Sequence, residues 1–398
     1  MLRSSGARNV LLTGGTGYLG SLIAATLLTN EEVEIVLPVR AGYDAEALAR
    51  PIRAEIEVRG GSFGPSRRAR LHAVPLPPFD SLSGLDEAAR EFGVREVIHC
   101  AGCLDYFDRE ALEAVNVDFT RGLLEQSRRW GVERFTYVST AFSSGYLDSR
   151  VPERLHPKPA SDPTDYTRTK REAEWLVAES GLPYLIVRPS IVIGDSRDGH
   201  YSGKQYGLYQ LWAGMERLLC RDWNQDIHAF APRQPLSLVH QDAFQAAFLA
   251  AYRTLPDGSI LNLVSEHASL PDLRQLWRMW LEECLRPRFV YYYQKMSDIP
   301  VREINTRQRA LLGLASVNLE IASHPWRFET TNLERLRREG LEFTDTTLET
   351  VAVCQRRFAE ESSAIRDYLD RNAELLAGEI EFYEAGPAEA YAPAAAAD

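Results

Sequence analysis

The segment Thr13–Gly20 limits the possible folds of this 398-residue chain more than any other feature. It reads T-G-G-T-G-Y-L-G, so Gly14, Gly17 and Gly20 are spaced by three residues, and a strand-like run precedes it while a helix-like run follows. A glycine turn between a strand and a helix lets a pyrophosphate approach the backbone N–H groups of the helix N-terminus. The spacing alone is weak evidence, but this context predicts a dinucleotide-binding turn.

Strand-like runs alternate with helix-like runs through the first half of the chain. The strands are rich in Val, Ile and Leu, and most are followed by a helix, which indicates an α/β fold: a Rossmann-type doubly wound parallel sheet with helices on both faces. The predicted strands are Asn9–Leu12, Glu34–Val39, Leu71–Val74, Glu96–Cys100, Phe135–Ser139 and Tyr184–Arg188. The predicted helices are Ser21–Leu28, Asp44–Arg59, Phe107–Trp130 and Tyr166–Ser180.

The pattern changes after residue 190. Helices are predicted at Gly207–Leu219 and Ala243–Tyr252, a strand at Ile260–Val264, and a long, interrupted amphipathic helix at Thr346–Ile380 with its cap at Thr344 or Asp345. We therefore expect a dinucleotide-binding domain over residues 1–195 and a smaller, mostly helical substrate-binding region over 196–384, with 236–265 returning to the first domain. The Ala/Pro/Glu-rich residues 385–398 are expected to form a disordered tail.

Composition excludes several classes of function. The net charge of −11 disfavours nucleic-acid binding, which needs a basic surface. No run of 18 apolar residues exists to span a membrane, and no apolar leader opens the sequence, so a cytoplasmic location is expected. The five cysteines form no disulfide framework, and the pair Cys100 and Cys103 lacks the partners of a zinc site, so no metal is expected.

Tyr166 and Lys170 form the second informative motif. Four residues apart, they project from one face of a predicted helix. A lysine ammonium beside a phenol favours the phenolate and lowers the phenol pKa from about 10, which makes it a usable proton donor. Together with the glycine turn, the pair predicts an enzyme that transfers a hydride.

The residue after the second strand bears on the choice of cofactor. An acidic residue at this place binds the ribose 2′-hydroxyl of NAD, whereas an arginine accommodates the 2′-phosphate of NADP. Here Arg40 follows Val39, and the first acid is Asp44. The charge argument favours NADPH, with NADH less favoured; the alternative is an ordinary surface arginine.

The motifs, taken in order, resemble the extended short-chain dehydrogenase/reductase superfamily over about residues 8–265. Two departures stand out: no aspartate follows the third strand at Val74–Leu76, and Phe119 replaces the family's glycine. The motifs that carry the resemblance are Thr13–Gly20, His99–Gly102, Asn116–Thr120, Ser139–Thr140, Tyr166–Lys170, Arg188–Pro189 and Val239–Ala243.

This resemblance implies roles for individual residues. Thr140 would orient the substrate carbonyl, with Ser139 as an alternative, Tyr166 would be the acid, Lys170 would hold the nicotinamide ribose, and Asn116 would have a structural or water-holding role. The implied cofactor-binding residues are Thr13, Gly14, Thr16, Gly17, Tyr18, Leu19, Gly20, Arg40, Ala101, Gly102, Ser139, Lys170, Pro189, Ser190, Ile191 and Val192.

Within the superfamily, Arg188–Gly199 and Val138–Phe142 resemble the fatty acyl reductase and thioester reductase branch, the male-sterility-like group. That branch implies NADPH-dependent reduction of an acyl thioester, or of the aldehyde it yields, with an apolar acyl or aromatic substrate carried on coenzyme A or a carrier protein. A ketone or alcohol oxidoreductase, a sugar-nucleotide epimerase and a non-catalytic cofactor sensor remain alternatives. The oligomeric state is left open, a homodimer included.

Aromatic and basic residues that follow the first domain have two interpretations each. The aromatic residues line an apolar substrate pocket or form core, and the basic residues meet an anionic group of the substrate or are solvated. The aromatic set is Tyr201, Tyr206, Tyr209, Trp212, Trp223 and Tyr291–Tyr293; the basic set is Lys204, Arg217, Arg221 and Arg233, with Arg67, Arg68 and Arg70 as an earlier basic patch for an acidic carrier.

Overall fold

The computed structural model describes residues 8–40, 42, 45–147 and 150–385, and its contacts divide the chain into two compact units. The first unit comprises Met1–Val192, Gln241–Val264 and Arg327–Thr344; the second comprises Ile193–His240, Ser265–Trp326 and Asp345–Asp398. The expected domain boundaries stay predictions, and the sequence did not foresee that a third segment, Arg327–Thr344, joins the first unit. The expected disordered tail lies outside the described residues from 386 onward.

The strands and helices follow one another as the alternating pattern predicts. The strands are β1 (Arg8–Thr13), β2 (Val33–Val39), β3 (Leu71–Pro75), β4 (Glu96–His99), β5 (Arg134–Val138), β6 (Tyr184–Pro189), β7 (Ile191–Ile193), β8 (Asp226–Phe230), β9 (Leu238–His240), β10 (Ser259–Leu263), β11 (Phe289–Tyr293) and β12 (Glu381–Glu384). The α-helices are α1 (Tyr18–Asn30), α2 (Ala45–Glu57), α3 (Pro65–Ala69), α4 (Asp86–Glu91), α5 (Arg109–Leu112), α6 (Phe119–Trp130), α7 (Asp165–Glu179), α8 (Leu208–Leu219), α9 (Gln241–Thr254), α10 (Leu273–Trp280), α11 (Thr306–Ser323), α12 (Thr331–Arg338), α13 (Leu348–Glu361) and α14 (Ser363–Arg371).

A seven-stranded sheet in the order β10-β6-β5-β4-β1-β2-β3 forms the centre of the first unit, and every pairing in it is parallel. This order is that of a doubly wound Rossmann sheet, which confirms the predicted fold class. Parallel strands end at one edge, and Thr13 at the end of β1 is in register with His99 at the end of β4. The loops that follow β1, β4, β5 and β6 therefore meet at that edge.

The core of the first unit lies between this sheet and its helices. Leu11, Val97 and Phe135 of the sheet and Leu123 of α6 have no exposed surface and belong to one apolar cluster. Full burial of such side chains stabilises a fold by about 1.5–3 kcal/mol each. The Val/Ile/Leu-rich strands are thus buried because helices cover both faces of the sheet.

Two predicted helices are interrupted. The expected helix at 107–130 consists of α5, a π-helical turn at Glu113–Asp118 and α6. The expected helix at 346–380 is split into α13 and α14 at Ser362, and Thr347 caps α13 through a capping box, so the expected cap at Thr344 or Asp345 is wrong. Apolar periodicity continued through both interruptions and concealed them.

The second unit contains a sheet that the sequence did not indicate. Strands β8, β11 and β12 pair in parallel, and the Tyr291–Tyr293 triplet belongs to β11. The rest of the unit is mostly helical. Among the described residues, no helix is both long and apolar enough to cross a bilayer.

Candidate active site

The glycine turn is built as the spacing predicts. Gly14 has a φ of +72°, and a Cβ there would lie 2.6 Å from the backbone nitrogen of Ala101. A Cβ on Gly20 would lie 2.1 Å from the oxygen of Gly14, so packing excludes a side chain at either place. Gly17 is the N-cap of α1 and provides no side-chain cap to its first N–H groups. A helix N-terminus without a side-chain cap fits the pyrophosphate of a dinucleotide.

Hydrogen bonds fix the loop after β4 against the glycine turn. The Thr13 hydroxyl lies 2.6 Å from Nδ1 of His99 and accepts a bond from the backbone nitrogen of Ala101. Burial, and then the charge of Lys170, lower the pKa of His99 to about 3, so the ring stays neutral. Phe119 packs edge-on against His99 with ring centroids 5.1 Å apart. The unusual phenylalanine thus supports the residue that joins β1 to β4.

The other expected cofactor residues lie along the same edge of the sheet. Tyr18 donates a hydrogen bond to Gln241, and Arg40 is exposed at the end of β2. The Ser190 hydroxyl is buried and has no hydrogen-bond partner within the described part of the chain. A buried hydroxyl without a partner is costly, so Ser190 fits a ligand contact. Thr16 and Gly102 are exposed, Leu19, Ile191 and Val192 partly exposed, and Pro189 buried.

Tyr166 lies in the first turn of α7, close enough to Thr140 for that residue to lower the pKa of the phenol. Thr164 caps this helix by accepting a bond from the nitrogen of Thr167, whose hydroxyl accepts one from Thr164 in return. Thr140 is the N-cap of the short 3₁₀ turn Ala141–Ser144, directly after β5. Two capped turns therefore bring the predicted acid and the predicted carbonyl-orienting hydroxyl together.

The Lys170 ammonium forms no hydrogen bond with the Tyr166 phenol in the described part of the chain. Its Nζ donates to the carbonyl oxygen of Val138 at 2.6 Å and lies 4.2 Å from the ring centroid of Tyr137. Burial lowers the pKa of Lys170 to about 8, although Cys100 and Glu174 raise it. The ammonium therefore keeps its proton at neutral pH.

The expectation that Lys170 lowers the pKa of Tyr166 is wrong for the protein alone. Burial, together with Tyr106 and Cys100, raises the pKa of Tyr166 well above its usual value, and only the hydrogen bond with Thr140 lowers it. The phenol is consequently protonated at neutral pH, which is the form that a proton donor requires.

Asn116 lies in the π-helical turn and connects two parts of the site. Its side chain accepts from the backbone nitrogen of Cys103 at 2.9 Å and donates to the Thr169 hydroxyl at 3.0 Å. It thereby joins the loop after β4 to α7. π-helical turns occur often at functional sites, because the extra residue redirects a side chain.

Sequence reasoning missed Glu174, which is fully buried behind Thr140. Its carboxylate accepts from the Ser139 hydroxyl at 2.5 Å and from the Ser143 hydroxyl at 2.9 Å, and it forms a buried ion pair with Arg188 at 2.6 Å. Burial alone would raise the pKa of Glu174, but Arg188 holds it below its usual value. The spacing of Tyr166, Lys170 and Glu174, four residues each, could have revealed it.

The residues expected on the substrate side have several locations. Tyr209 and Trp212 are buried within the second unit, and Tyr209 stacks on Tyr201 at 3.7 Å, which makes them core. Arg217 and Arg221 line a cavity of about 450 Å³ in that unit. Arg70 donates to backbone oxygens of Leu28 and Glu31 and is structural. Arg233 pairs with Glu384.

Comparison with known proteins gives one family and several relatives. The model of the family described as "Male sterility protein" matches residues 12–243, which is more than half of the chain. Isonitrile lipopeptide synthase of Streptomyces coeruleorubidus is 29% identical over 287 residues, which are 69% of this chain and 18% of that protein. Fatty acyl-CoA reductase 1 of Pongo abelii is 27% identical over 223 residues, 46% of this chain and 43% of the relative. The chain thus spans less than half the length of these two curated relatives.

Two solved structures show the same fold. The terminal R domain of the myxalamid PKS-NRPS biosynthetic pathway superposes with a TM-score of 0.72 at 21% identity and covers 90% of this chain and 92% of its own. UDP-glucuronic acid 4-epimerase from Bacillus cereus superposes with a TM-score of 0.58 at 16% identity, covering 87% and 94%. At these identities the likeness is one of fold alone.

Proposed function

The chain belongs to the male sterility protein family and is an oxidoreductase of the extended short-chain dehydrogenase/reductase type; on this premise we propose that it reduces an acyl thioester, or the aldehyde it yields, with NADPH. The observation that supports the proposal is the proximity of Thr140 to Tyr166, close enough for Thr140 to lower the pKa of the phenol, at the edge of the sheet where the glycine turn also lies. A hydroxyl and a protonated phenol side by side can hold one carbonyl oxygen.

The reaction needs a hydride and a proton, and the reduced nicotinamide supplies the hydride when bound. The Thr140 hydroxyl donates to the substrate carbonyl oxygen and stabilises the negative charge that develops there. The Tyr166 phenol gives its proton to that oxygen. From a thioester this produces a hemithioacetal, which releases the thiol and an aldehyde.

Lys170 has donors to spare for the nicotinamide ribose. An ammonium carries three protons, and one of them is directed at the Val138 carbonyl. Two remain for ribose hydroxyls, as the resemblance implies.

NADPH is preferred over NADH on the charge at the end of β2. Arg40 is exposed directly after Val39 and forms no hydrogen bond or ion pair with another described residue. A free guanidinium can bind a 2′-phosphate through two parallel hydrogen bonds, whereas an NAD-binding site would present an acid to the 2′-hydroxyl.

The substrate is proposed to be an apolar acyl or aromatic group linked as a thioester. Relatives include fatty acyl-CoA reductases, an isonitrile lipopeptide synthase and a nonribosomal peptide synthetase, so coenzyme A or a carrier protein is the proposed carrier. Ala141 and Phe142, both buried, follow Thr140, and neither offers a carboxylate for the elimination chemistry of sugar-nucleotide dehydratases.

The test is to incubate the protein with NADPH and a panel of acyl-CoAs, aldehydes and ketones, and to follow the nicotinamide absorbance. Tyr166→Phe should lower kcat about 10²- to 10⁴-fold on the best substrate, the usual range for a general acid. Tyr106→Phe is the matched control, because its ring lies 5.8 Å from that of Tyr166. Turnover of ketones but never of thioesters or aldehydes would favour the oxidoreductase alternative, and full activity of Tyr166→Phe would reject the assigned acid.

A further inference from the structure

Three residues on one face of α7 contact three consecutive residues at the end of β5. Thr140 is close enough to Tyr166 to lower the pKa of its phenol, Lys170 donates to the Val138 carbonyl, and Glu174 accepts from the Ser139 hydroxyl. The helical positions are four apart, so these side chains lie in one row along the helix. The first two contacts belong to the proposed catalytic machinery, and the third has no role in it.

Glu174 holds the turn that carries Thr140 on both sides. One carboxylate oxygen of Glu174 accepts from the hydroxyl of Ser139, the residue before Thr140, and from the hydroxyl of Ser143, three residues after Thr140. Because a carboxylate can only accept, both serine hydroxyls must direct their protons toward it. The Ser139 hydroxyl is therefore not available to the substrate, and Thr140 provides the hydroxyl beside the Tyr166 phenol.

Arg188 fixes the carboxylate itself. Its guanidinium donates to both oxygens of Glu174, at 2.9 and 2.6 Å, and to the carbonyl oxygens of Pro152 and Arg154. Neither charged side chain has any exposed surface. A bidentate, fully buried pair has one geometry, which makes it a rigid support.

We infer that Glu174, held by Arg188, is a positioning residue that sets Thr140 against Tyr166. The kinetic part of this inference rests on the proposed reductase function. A purely structural role would require only that the buried charge of Arg188 be neutralised. A positioning role requires in addition that the carboxylate reach Ser139 and Ser143.

Glu174→Asp separates the two roles, because it keeps the charge and withdraws the carboxylate by about 1.5 Å, one C–C bond. We expect the variant to fold with lower thermal stability, because its pair with Arg188 is also lengthened, the KM for NADPH to stay close to that of the wild type, kcat to fall about 10- to 100-fold, and hydrogen exchange over residues 139–145 to accelerate. Wild-type kcat, or unchanged exchange in a folded Glu174→Asp protein, would overturn the inference.

Ser143→Ala and Ser144→Ala provide a matched pair if Glu174→Asp fails to fold. Both hydroxyls are buried in the same turn, but Ser144 donates to the Gly145 carbonyl and not to Glu174. Only Ser143→Ala should lower kcat and accelerate exchange in the turn; equal effects in both variants would overturn the inference. Exchange needs no substrate, so it also decides the matter if the wild type reduces no thioester and the proposed function itself fails.

Discussion

Ser139 and Thr140 are neighbours in the chain, yet their hydroxyls have different surroundings: that of Ser139 donates to Glu174, whereas Thr140 lies close enough to Tyr166 to lower the pKa of its phenol. Successive residues of an extended segment point to opposite sides, so the two residues that follow β5 direct their hydroxyls separately toward the buried support and the reaction site. The choice between them, open in the sequence, becomes testable.

Thr140→Ala should lower kcat about 10²- to 10³-fold, the usual cost of removing one donor to a developing oxyanion. Thr140→Ser should recover most of the activity because it restores the hydroxyl. Ser139→Ala should cost less, since its hydroxyl is already directed to Glu174. Steady-state kinetics on one substrate checks this, and a larger loss in Ser139→Ala than in Thr140→Ala would reverse the assignment.

The pH dependence should report Lys170. Its pKa is lowered from 10.5 to about 8, so kcat/KM is expected to decline as the pH rises through about 8 and the ammonium loses its proton. Between pH 8 and 10.5 the folded state binds fewer protons at this site than the unfolded state, so Lys170 contributes a free energy of unfolding that rises with pH.

Activity and the Lys170 contribution to stability should therefore change in opposite directions over this window. Chemical denaturation of the wild type and of Lys170→Met at several pH values isolates the contribution, because the variant lacks the titrating group. If the stability difference between the two proteins is constant from pH 8 to 10.5, Lys170 does not titrate there.

Arg40→Ala should lower the affinity for NADPH relative to NADH by about 10- to 100-fold, the range of a lost hydrogen bond to a charged group. Titration of each dinucleotide, followed by nicotinamide fluorescence, measures the ratio. Arg50→Ala, an exposed arginine on α2, is the control. An unaltered ratio in Arg40→Ala would mean that the 2′-phosphate is bound elsewhere or not at all.

Alanine at two glycines of the turn should separate folding from cofactor binding. Gly17 has a φ of −85°, and its added Cβ would meet only the Gly14 oxygen at 3.2 Å, so Gly17→Ala should fold but bind NADPH weakly. Gly14→Ala should lose about 1–3 kcal/mol from its left-handed backbone alone, with a further loss from contact with Ala101. Thermal unfolding and dinucleotide titration of both variants make the comparison. Normal binding by Gly17→Ala would show that the pyrophosphate does not approach this residue.

Local patterns were sufficient for the sheet and the glycine turn. Each strand of the large sheet could be predicted from a short apolar run. Gly14 and Gly20 could be predicted from their spacing, because packing leaves no room for a side chain at either position. The partner of a side chain is a different matter. Lys170 bonds to Val138 and Glu174 pairs with Arg188 only because distant segments of the chain meet in the fold. Neither pairing produces a periodic pattern in the sequence from which it could be predicted.

The missed sheet in the second unit has a similar cause. Strands β8, β11 and β12 are four or five residues long and separated by helices, so no run of alternating residues marks them. The π-helical turn at Asn116 was hidden because one extra residue hardly disturbs an apolar pattern. Sequence reasoning therefore predicted the edge of the sheet where the site lies, but not the support behind it.

The first unit is assembled from three stretches of chain. In its sheet, β6 lies between β5 and β10, so the strand on its outer side is β10. During synthesis, β6 therefore remains an unpaired edge of the sheet until residue 263 has been added to the chain. At translation rates of about 5–20 residues per second, the edge of β6 stays unpaired and able to pair with other chains for several seconds. A fragment that ends after β6 lacks β10, so the edge of its β6 stays unpaired. Such a fragment is expected to aggregate rather than to act as a small cofactor-binding module.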